Sequence, residues 1–256
     1  MNIVACYKCV PEEEEIEIKG NQTLDLSKAQ WKVGQYDLNA VEAGMQIYEE
    51  VGGTVSVLTA GDAVVDNSKL RKSILSRGPE QMYAVKDEAL NVADSYATAQ
   101  ALKSAINKID NVDLVLCGEG SGDIYSQQVG SVLGSMLGWA CVNSVGKINA
   151  ANGNLIVERS IESGVEVLEI SLPAVVCVTS DINIPRIPAM KDILGAGKKN
   201  ATVWSLSELN TEIKNGSDTI SILAPEQTER LQTIYEGDSD ENIDEIYKQL
   251  RKLNLF

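Results

Sequence analysis

The chain has 256 residues, of which 44% are hydrophobic and 23% are charged, with a formal net charge of −15 and no histidine. The acidic balance argues against a general nucleic-acid-binding protein, whose surface would be rich in lysine and arginine. The lack of histidine excludes His-based acid–base catalysis, Ser–His and Cys–His nucleophile pairs, and zinc sites that need imidazole. We therefore expect the chemistry to belong to a bound cofactor, with no catalytic residue in this chain.

The length allows one large domain or a domain with an appendage, and the sequence indicates no membrane insertion. No apolar run reaches the roughly 18 to 20 residues that span a bilayer, and the opening MNIVACYKCV lacks the pattern of a secretory signal. We therefore expect a cytoplasmic protein. The CxxC from Cys6 to Cys9 has no second CxxC to complete a four-thiolate metal site. Free thiols are thus favoured over a metal or redox centre.

In chain order, the first half alternates buried strands with helices. NIVACY (2–7) is typical of a buried strand, and alternation on both sides of Gly20–Asn21 predicts a hairpin over 15–26. Asp37 is placed to cap a helix whose apolar residues recur at helical spacing. The same reasoning predicts strands at 54–61, 81–86 and 112–118 and helices at 66–77, 95–109 and 126–139.

The second half predicts another hairpin, from 155–161 and 165–172, and a central strand at 173–180. Together with the first half, it indicates an α/β fold with a doubly wound, mostly parallel sheet and hairpin insertions. Residues 1–210 are expected to form one α/β nucleotide-binding domain. They are followed by an extended linker at 211–238 and a C-terminal helical arm at 239–256, which contacts its own domain or a partner subunit.

The stretch CGEGSGDIYSQQVG (117–130) follows a predicted strand and leads into a predicted helix, the usual place for a ligand in an open α/β sheet. Its glycines are spaced GxGxG, with Asp123 in the place of the third Rossmann glycine, and no GK[ST] of a P-loop follows. It is either a cradle for a nucleotide phosphate or a turn in which Asp123 caps the helix. Likewise, Gln127 and Gln128 on the first helical turn would contact a ribose or ring edge, or be merely exposed.

Several motifs resemble the small (beta) subunit of electron-transfer flavoproteins, and their amino-acid sequences are most similar to the Fix-type branch. That branch serves nitrogen fixation, carnitine metabolism and related anaerobic acyl-CoA reductions. The resemblance runs over nearly the whole chain. The segments that carry it are ACYKCVP, QYDLNAVEA (35–43), LTAG (58–61), LSRGPE (75–80), GEGSGDIYSQQVG (118–130), VERSIESGVEVLEISLPAVV (157–176) and DINIPRIPAMKDILGAGKK (181–199).

This resemblance implies an adenine-nucleotide-binding fold in a heterodimer whose large (alpha) subunit carries an electron-shuttling FAD. In ordinary members the small subunit holds AMP. In bifurcating members it holds a second FAD that takes a hydride from NADH. One electron then goes to ferredoxin or flavodoxin, and the other passes through the alpha-subunit FAD to an acyl-CoA dehydrogenase or reductase. The Fix-type wording favours FAD over AMP. The alternatives are a non-bifurcating carrier with structural AMP, and a nucleotide-binding sensor without redox activity.

The resemblance also assigns residues. A partner-recognition loop maps to 184–199, with Pro188, Met190 and Ile193 binding the dehydrogenase and Met190 as its apolar anchor; the alternative is an ordinary loop followed by a short helix. Gly34 stands where many members have Asn, which removes one side-chain contact. Nucleotide contacts are expected from Cys6, Tyr36, Asp37, Ala60, Gly61, Glu119, Gly120, Ser121, Gly122, Asp123, Ser126, Gln127, Gln128, Val129 and Gly130.

Overall fold

A computed structural model describes residues 1–151, 153–226 and 232–255. Its strands are β1 (Asn2–Cys6), β2 (Cys9–Pro11), β3 (Glu17–Ile18), β4 (Leu24–Asp25), β5 (Trp31–Val33), β6 (Thr54–Gly61), β7 (Gln81–Lys86), β8 (Leu114–Gly118), β9 (Ala140–Ala151), β10 (Asn154–Ile161), β11 (Gly164–Ser171), β12 (Ala174–Val178) and β13 (Asn200–Trp204). Its α-helices are α1 (Gln35–Val51), α2 (Ser68–Leu75), α3 (Ser95–Lys108), α4 (Val129–Leu137), α5 (Met190–Ala196) and α6 (Asp240–Lys252).

Nine strands form one sheet in the order β11-β10-β9-β12-β8-β1-β6-β7-β13. The pairs from β9 to β13 along this order are parallel, and β10 is antiparallel to both of its neighbours. The chain passes from β1 through β6 to β7 on one side and then returns to place β8 on the other side of β1. The predicted α/β fold with a doubly wound, mostly parallel sheet is confirmed.

Helices cover both faces of this sheet because successive strand residues point to opposite sides. Ile3 and Ala5 of β1 belong to a core cluster that includes residues of α1 and α2. The intervening Val4 and Cys6 belong to a second cluster that includes residues of α3 and α4. Buried on both faces, the central strands are almost entirely apolar, which explains why the sequence indicated them so clearly.

Both predicted hairpins are present. β3 and β4 pair with Glu17 opposite Asp25, and a second small sheet joins β2 to β5. β10 and β11 pair along their whole length up to the Ile161–Gly164 turn. Within the described residues, no helix is long and apolar enough to cross a membrane.

Two helix starts were wrongly predicted. Asp37 does not cap α1, which begins at Gln35 with Gly34 as its N-cap; the Asp37 carboxylate instead accepts a hydrogen bond from the backbone of Lys8. Helix α4 begins at Val129 rather than 126, because Gln127 adopts a left-handed backbone with φ 55°. Gln127 therefore precedes the helix, Gln128 is its N-cap, and Asp123 caps no helix.

Strands β9 and β13 had no counterpart among the predictions. In β9, Ser144 has φ 55°, and the register with β12 shifts between Val176 and Val178. This bulge puts Val142 and Val145 in the core three positions apart, so the alternation expected of a strand is broken. β13 has only five residues and forms an edge of the sheet.

Contacts along the chain define two units, Met1–Ile222 and Leu223–Phe256. In the second unit, Ser239 caps α6 by accepting a hydrogen bond from the backbone of Asn242. All residues of α6 are described and none is buried, although Ile243, Ile246 and Tyr247 recur at helical spacing. The domain boundaries at 210 and 238 stay predictions, and residues 227–231 of the predicted linker and Phe256 lie outside the described residues.

Candidate functional site

The candidate site lies between the carboxyl ends of β1 and β8, where the strand order reverses. Ligands of open α/β sheets bind in the crevice outside such a switch point. β1 ends at Cys6 and β8 at Gly118, and Glu119, the next residue, donates its backbone N–H to the carbonyl of Val178 at 2.9 Å. The loop after β8 therefore starts as a continuation of the sheet edge.

Buried Asp37 joins three elements at this crevice. Its Oδ2 accepts the backbone N–H of Lys8 at 2.8 Å, and its Oδ1 lies beside Gly118, 2.9 Å from where a Cβ of that residue would stand. Burial raises the pKa of Asp37 to about 7 despite the hydrogen bond from Lys8, which favours the charged form. Asp37 thus ties the first turn of α1 to the ends of β1 and β8.

Two glycines make room for this carboxylate. A Cβ at Gly34 would lie 2.7 Å from Asp37 Oδ2, and a Cβ at Gly118 would lie 2.9 Å from Asp37 Oδ1 and 2.8 Å from the Tyr36 backbone. Such distances are too short for any real side chain. The glycine at 34 therefore fits the position that Asp37 takes in this chain.

Most backbone N–H groups of the loop at 119–123 make no hydrogen bond to the described residues. The N–H groups of Gly120, Ser121, Gly122 and Asp123 have no hydrogen-bond acceptor among the described residues. A Cβ at Gly122 would have nothing within 4 Å. Consecutive free N–H groups in a loop with open space at Gly122 suit an anion such as a phosphate.

The positively charged side chain of Lys8 lies at this loop. Lys8 Nζ lies 2.6 Å from Asp123 Oδ2, so the ion pair spans the crevice from the end of β1 to the loop after β8. Although burial raises it, hydrogen bonds from Lys8 and Ser121 hold the pKa of Asp123 below its ordinary value. An arriving phosphate would find Lys8 already close by and would compete with Asp123 for it.

The second half of the loop carries aromatic and polar side chains. The Tyr125 ring packs against that of Tyr36, with centroids 5.3 Å apart and planes tilted by 46°. Ser126 Oγ lies 2.9 Å from Ser95 Oγ at the start of α3, and Gln127 Nε2 donates to the Tyr125 hydroxyl at 3.4 Å. These contacts hold residues 124–127 at the mouth of the crevice.

Below the loop, thiols form the floor. Cys117 and Cys177 are register partners on β8 and β12, and both are buried. The neighbouring Cys117 thiol and burial raise the pKa of Cys177 well above its ordinary value, so the Cys177 thiol stays protonated. A Cβ at Gly130 would lie 2.1 Å from Cys177 Sγ. Gly130 therefore serves the packing of α4 on this floor, and Val129 is half-buried beside it.

Two further residues expected to contact the nucleotide, Ala60 and Gly61, lie at the end of β6 and have different surroundings. Ala60 packs against the core cluster that contains Cys6 and Cys117. Gly61 lies next to Val65, and its carbonyl accepts a hydrogen bond from the backbone N–H of Asp87. Cys9 lies in the opposite core cluster from Cys6, and burial together with Asp37 raises its pKa to about 12. No group of three metal-binding side chains is present in the part of the chain that the structure describes.

The segment between β12 and α5 is held at its base and exposed at its tip. Arg186 forms two side-chain hydrogen bonds with buried Glu42, at 2.7 and 3.0 Å, and a third with Glu49 at 2.8 Å. Its carbonyl accepts from Arg77. By contrast, Ile184 and Ile187 are more than 90% exposed and Met190 is 72% exposed.

The expected partner residues lie in this segment. Met190 is the first residue of α5, while Pro188 and Ile193 line an open groove of about 440 Å³ beside α2. Sequence reasoning missed Glu42, Arg186, Lys8 and Tyr125. A charged residue inside the apolar stripe of α1 was the one available signal for Glu42.

Comparison with known families adds a direct finding. Residues 23–209 match the family model described as an electron transfer flavoprotein domain. The match covers more than two thirds of the chain and every strand of the nine-stranded sheet except β1. It also contains the loop after β8, Asp37 and the segment with Arg186. The chain therefore belongs to the electron transfer flavoprotein domain family.

Proposed function

We propose that this chain is the small subunit of an electron-bifurcating electron transfer flavoprotein, and that the crevice between β1 and β8 binds FAD. The observation that carries the proposal is the row of free backbone N–H groups at 120–123, placed at the switch point of a parallel sheet. Membership of the electron transfer flavoprotein domain family supports a flavin or nucleotide ligand, and the resemblance of the motifs to the Fix-type branch favours FAD over AMP.

The residues present fit such a nucleotide. The free N–H groups and Lys8 would hold phosphate, and the open space in front of Gly122 would admit it. Gln127 and Gln128, both exposed, would reach a ribose, and Cys6 and Ala60 would form apolar floor. Bound FAD would supply the redox chemistry, accepting a hydride from NADH and passing electrons to two acceptors.

This chain's own residues bind and orient. Asp37 fixes the geometry of the crevice by joining α1 to the ends of β1 and β8, and the protonated thiols give it an uncharged floor. Glu119 and Asp123 add two carboxylates to the loop, so the phosphates of FAD would depend on the free N–H groups at 120–123 and on Lys8 to offset that charge. In this proposal no side chain of the chain transfers a proton in the redox step.

The proposed partners are a large subunit carrying a second FAD, an acyl-CoA dehydrogenase or reductase, and ferredoxin or flavodoxin as the second acceptor. The exposed apolar side chains at 184–194, on a base fixed by the Glu42–Arg186 ion pair, support a dehydrogenase contact there. An adaptable thioether such as Met190 suits an anchor in an apolar pocket.

The test is to purify the native complex, denature it and identify the nucleotides released. We expect two FAD for each heterodimer and rapid bleaching of the flavin by NADH. One FAD and one AMP would overturn bifurcation and leave an electron carrier. A colourless chain that binds AMP or ATP without any large subunit would contradict the flavoprotein role altogether.

A further inference from the structure

Two large apolar side chains stand exposed at the mouth of the crevice. Ile124 is 64% exposed and Tyr125 42% exposed, in a loop that otherwise consists of glycine and polar residues. They directly follow the free N–H groups at 120–123. An exposed apolar patch beside a polar cradle is typical of a ligand site with an anionic part and a flat apolar part.

The position of Tyr125 is specified by its surroundings. Its backbone is left-handed with φ 51°, a conformation that a residue with a side chain seldom adopts. A Cβ at Gly120 would lie 2.5 Å from the Tyr125 ring, so only glycine at 120 lets the ring lie here. Its backbone N–H donates to Ser121 Oγ at 3.4 Å and its hydroxyl accepts from Gln127.

Tyr36 connects this ring to the floor of the crevice. Its ring meets Tyr125 at 5.3 Å between centroids, and its own Cβ is close enough to β8 that only glycine fits at 118. The two rings therefore pack as a tilted pair between the end of β8 and the loop, and Tyr36 supports one side of the Tyr125 ring. Every flat heteroaromatic ring can stack on a tyrosine ring.

We propose that Tyr125, supported by Tyr36, is a stacking residue for the flat ring of the bound nucleotide. The inference rests on the proposed nucleotide site and adds the residue that recognises the ring. The ring is either adenine or isoalloxazine, since both are planar and FAD contains both. Stacking on Tyr125 places the ring beside residues 120–123, which hold the phosphate.

The experiment uses the full chain freed of nucleotide, as wild type, Tyr125→Leu and Tyr125→Phe. Each protein is titrated calorimetrically with AMP, FMN and ribose 5-phosphate. AMP carries only the adenine ring, FMN only the isoalloxazine ring, and ribose 5-phosphate neither. We expect Tyr125→Leu to bind one ring-bearing ligand about tenfold more weakly. Tyr125→Phe should bind it within about twofold of wild type, because the ring is retained.

The outcomes are separable. Weaker binding of AMP alone assigns the stack to adenine, and weaker binding of FMN alone assigns it to isoalloxazine. Unchanged binding of both by Tyr125→Leu overturns the stacking role, as does an equal loss for ribose 5-phosphate, which would mean that the loop itself had moved. If wild type binds none of the three, the nucleotide site itself is wrong. Far-ultraviolet circular dichroism of all three proteins checks that the exposed position tolerates the changes.

Discussion

The loop after β8 and the segment after β12 follow neighbouring strands of the same parallel sheet, yet they present different chemistry. The first offers backbone N–H groups above a packed floor of thiols, and its side chains are mostly polar. The second offers exposed isoleucines and Met190 on a base fixed by Arg186. Backbone N–H groups suit a small anionic ligand, whereas exposed apolar side chains suit a protein partner. One sheet edge can thus carry two binding functions that fail independently.

The largest expected effect comes from filling the floor of the first region. Gly130→Val would place a side chain against Cys177 Sγ, which a Cβ alone would approach to 2.1 Å. We expect the free energy of unfolding to fall by at least about 3 kcal/mol. Urea denaturation followed by circular dichroism measures it. A loss below about 0.5 kcal/mol would show that α4 does not pack on the thiols as described.

The pH dependence of stability tests the buried carboxylate of the same region. Asp37 binds its proton more tightly in the folded chain, where its pKa is about 7, than in the unfolded chain. The protonated Asp37 therefore contributes fully to the free energy of unfolding below about pH 4, and this contribution is lost as pH rises through 7. The free energy of unfolding falls by at most about 1.4 kcal/mol per pH unit on this account. Urea denaturation at pH 5 and pH 8 should show a steeper fall for wild type than for Asp37→Asn. Parallel profiles would mean that Asp37 is not buried.

Removing the ion pair tests the base of the second region. Glu42→Ala leaves Arg186 without its bidentate partner. We expect the free energy of unfolding to fall by about 2 kcal/mol, because Glu42 is buried while Arg186 is partly exposed. Trypsin should then cleave after Arg186 faster than in wild type. Glu49→Ala is the matched control, since exposed Glu49 contacts the same guanidinium. Equal cleavage of both variants would contradict a specific role for Glu42.

Gly122→Val probes the ligand contact with almost no effect on folding. Nothing lies within 4 Å of a Cβ at this position, so the free energy of unfolding should change by less than about 0.5 kcal/mol. Nucleotide binding should weaken at least tenfold, because blocking backbone hydrogen bonds to a phosphate removes more than about 1.4 kcal/mol. Nucleotide content of the purified complex measures this. Full occupancy would show that the loop is only a turn.

Met190→Glu changes the second region, as Gly122→Val changes the first, and we expect it to have the smallest effect on the free energy of unfolding. At 72% exposure the substitution should leave stability and NADH reduction of the flavin unchanged. Electron transfer to the dehydrogenase should slow, because a carboxylate cannot enter an apolar pocket. Stopped-flow absorbance separates the two steps. Equal loss of both would indicate misfolding rather than a partner contact.

The sequence predicted the parts of this fold that depend on local patterns. Buried strands such as β1 and β8 are apolar throughout, and the Gly20–Asn21 turn marks a hairpin by its residue types alone. Features that depend on distant partners were missed or wrong. The carboxylate of Asp37 resembled a helix cap in sequence, but its partner is the backbone of Lys8, twenty-nine positions away.

The same limit applies to the site. The glycine loop was found because glycine spacing is visible in sequence, and the family resemblance added the residues across the crevice. The bulge in β9 and the left-handed Tyr125 were not predictable, since a positive φ at a residue with a side chain is fixed by tertiary contacts. Arg186 was missed because its buried partner lies 144 positions away.

The contact between Gly34, Asp37 and Gly118 has a consequence for how this protein can diverge. Asparagine at 34 would collide with the Asp37 carboxylate, and any side chain at 118 would collide with both Asp37 and Tyr36. We therefore expect these positions to be coupled: a side chain at 34 or 118 requires the Asp37 carboxylate to shift, and one at 118 also requires the Tyr36 backbone to shift. The effect of Gly34→Asn alone would therefore reflect its collision with Asp37 rather than a change in ligand binding. Exchanges at these three positions should therefore be made together, as one unit.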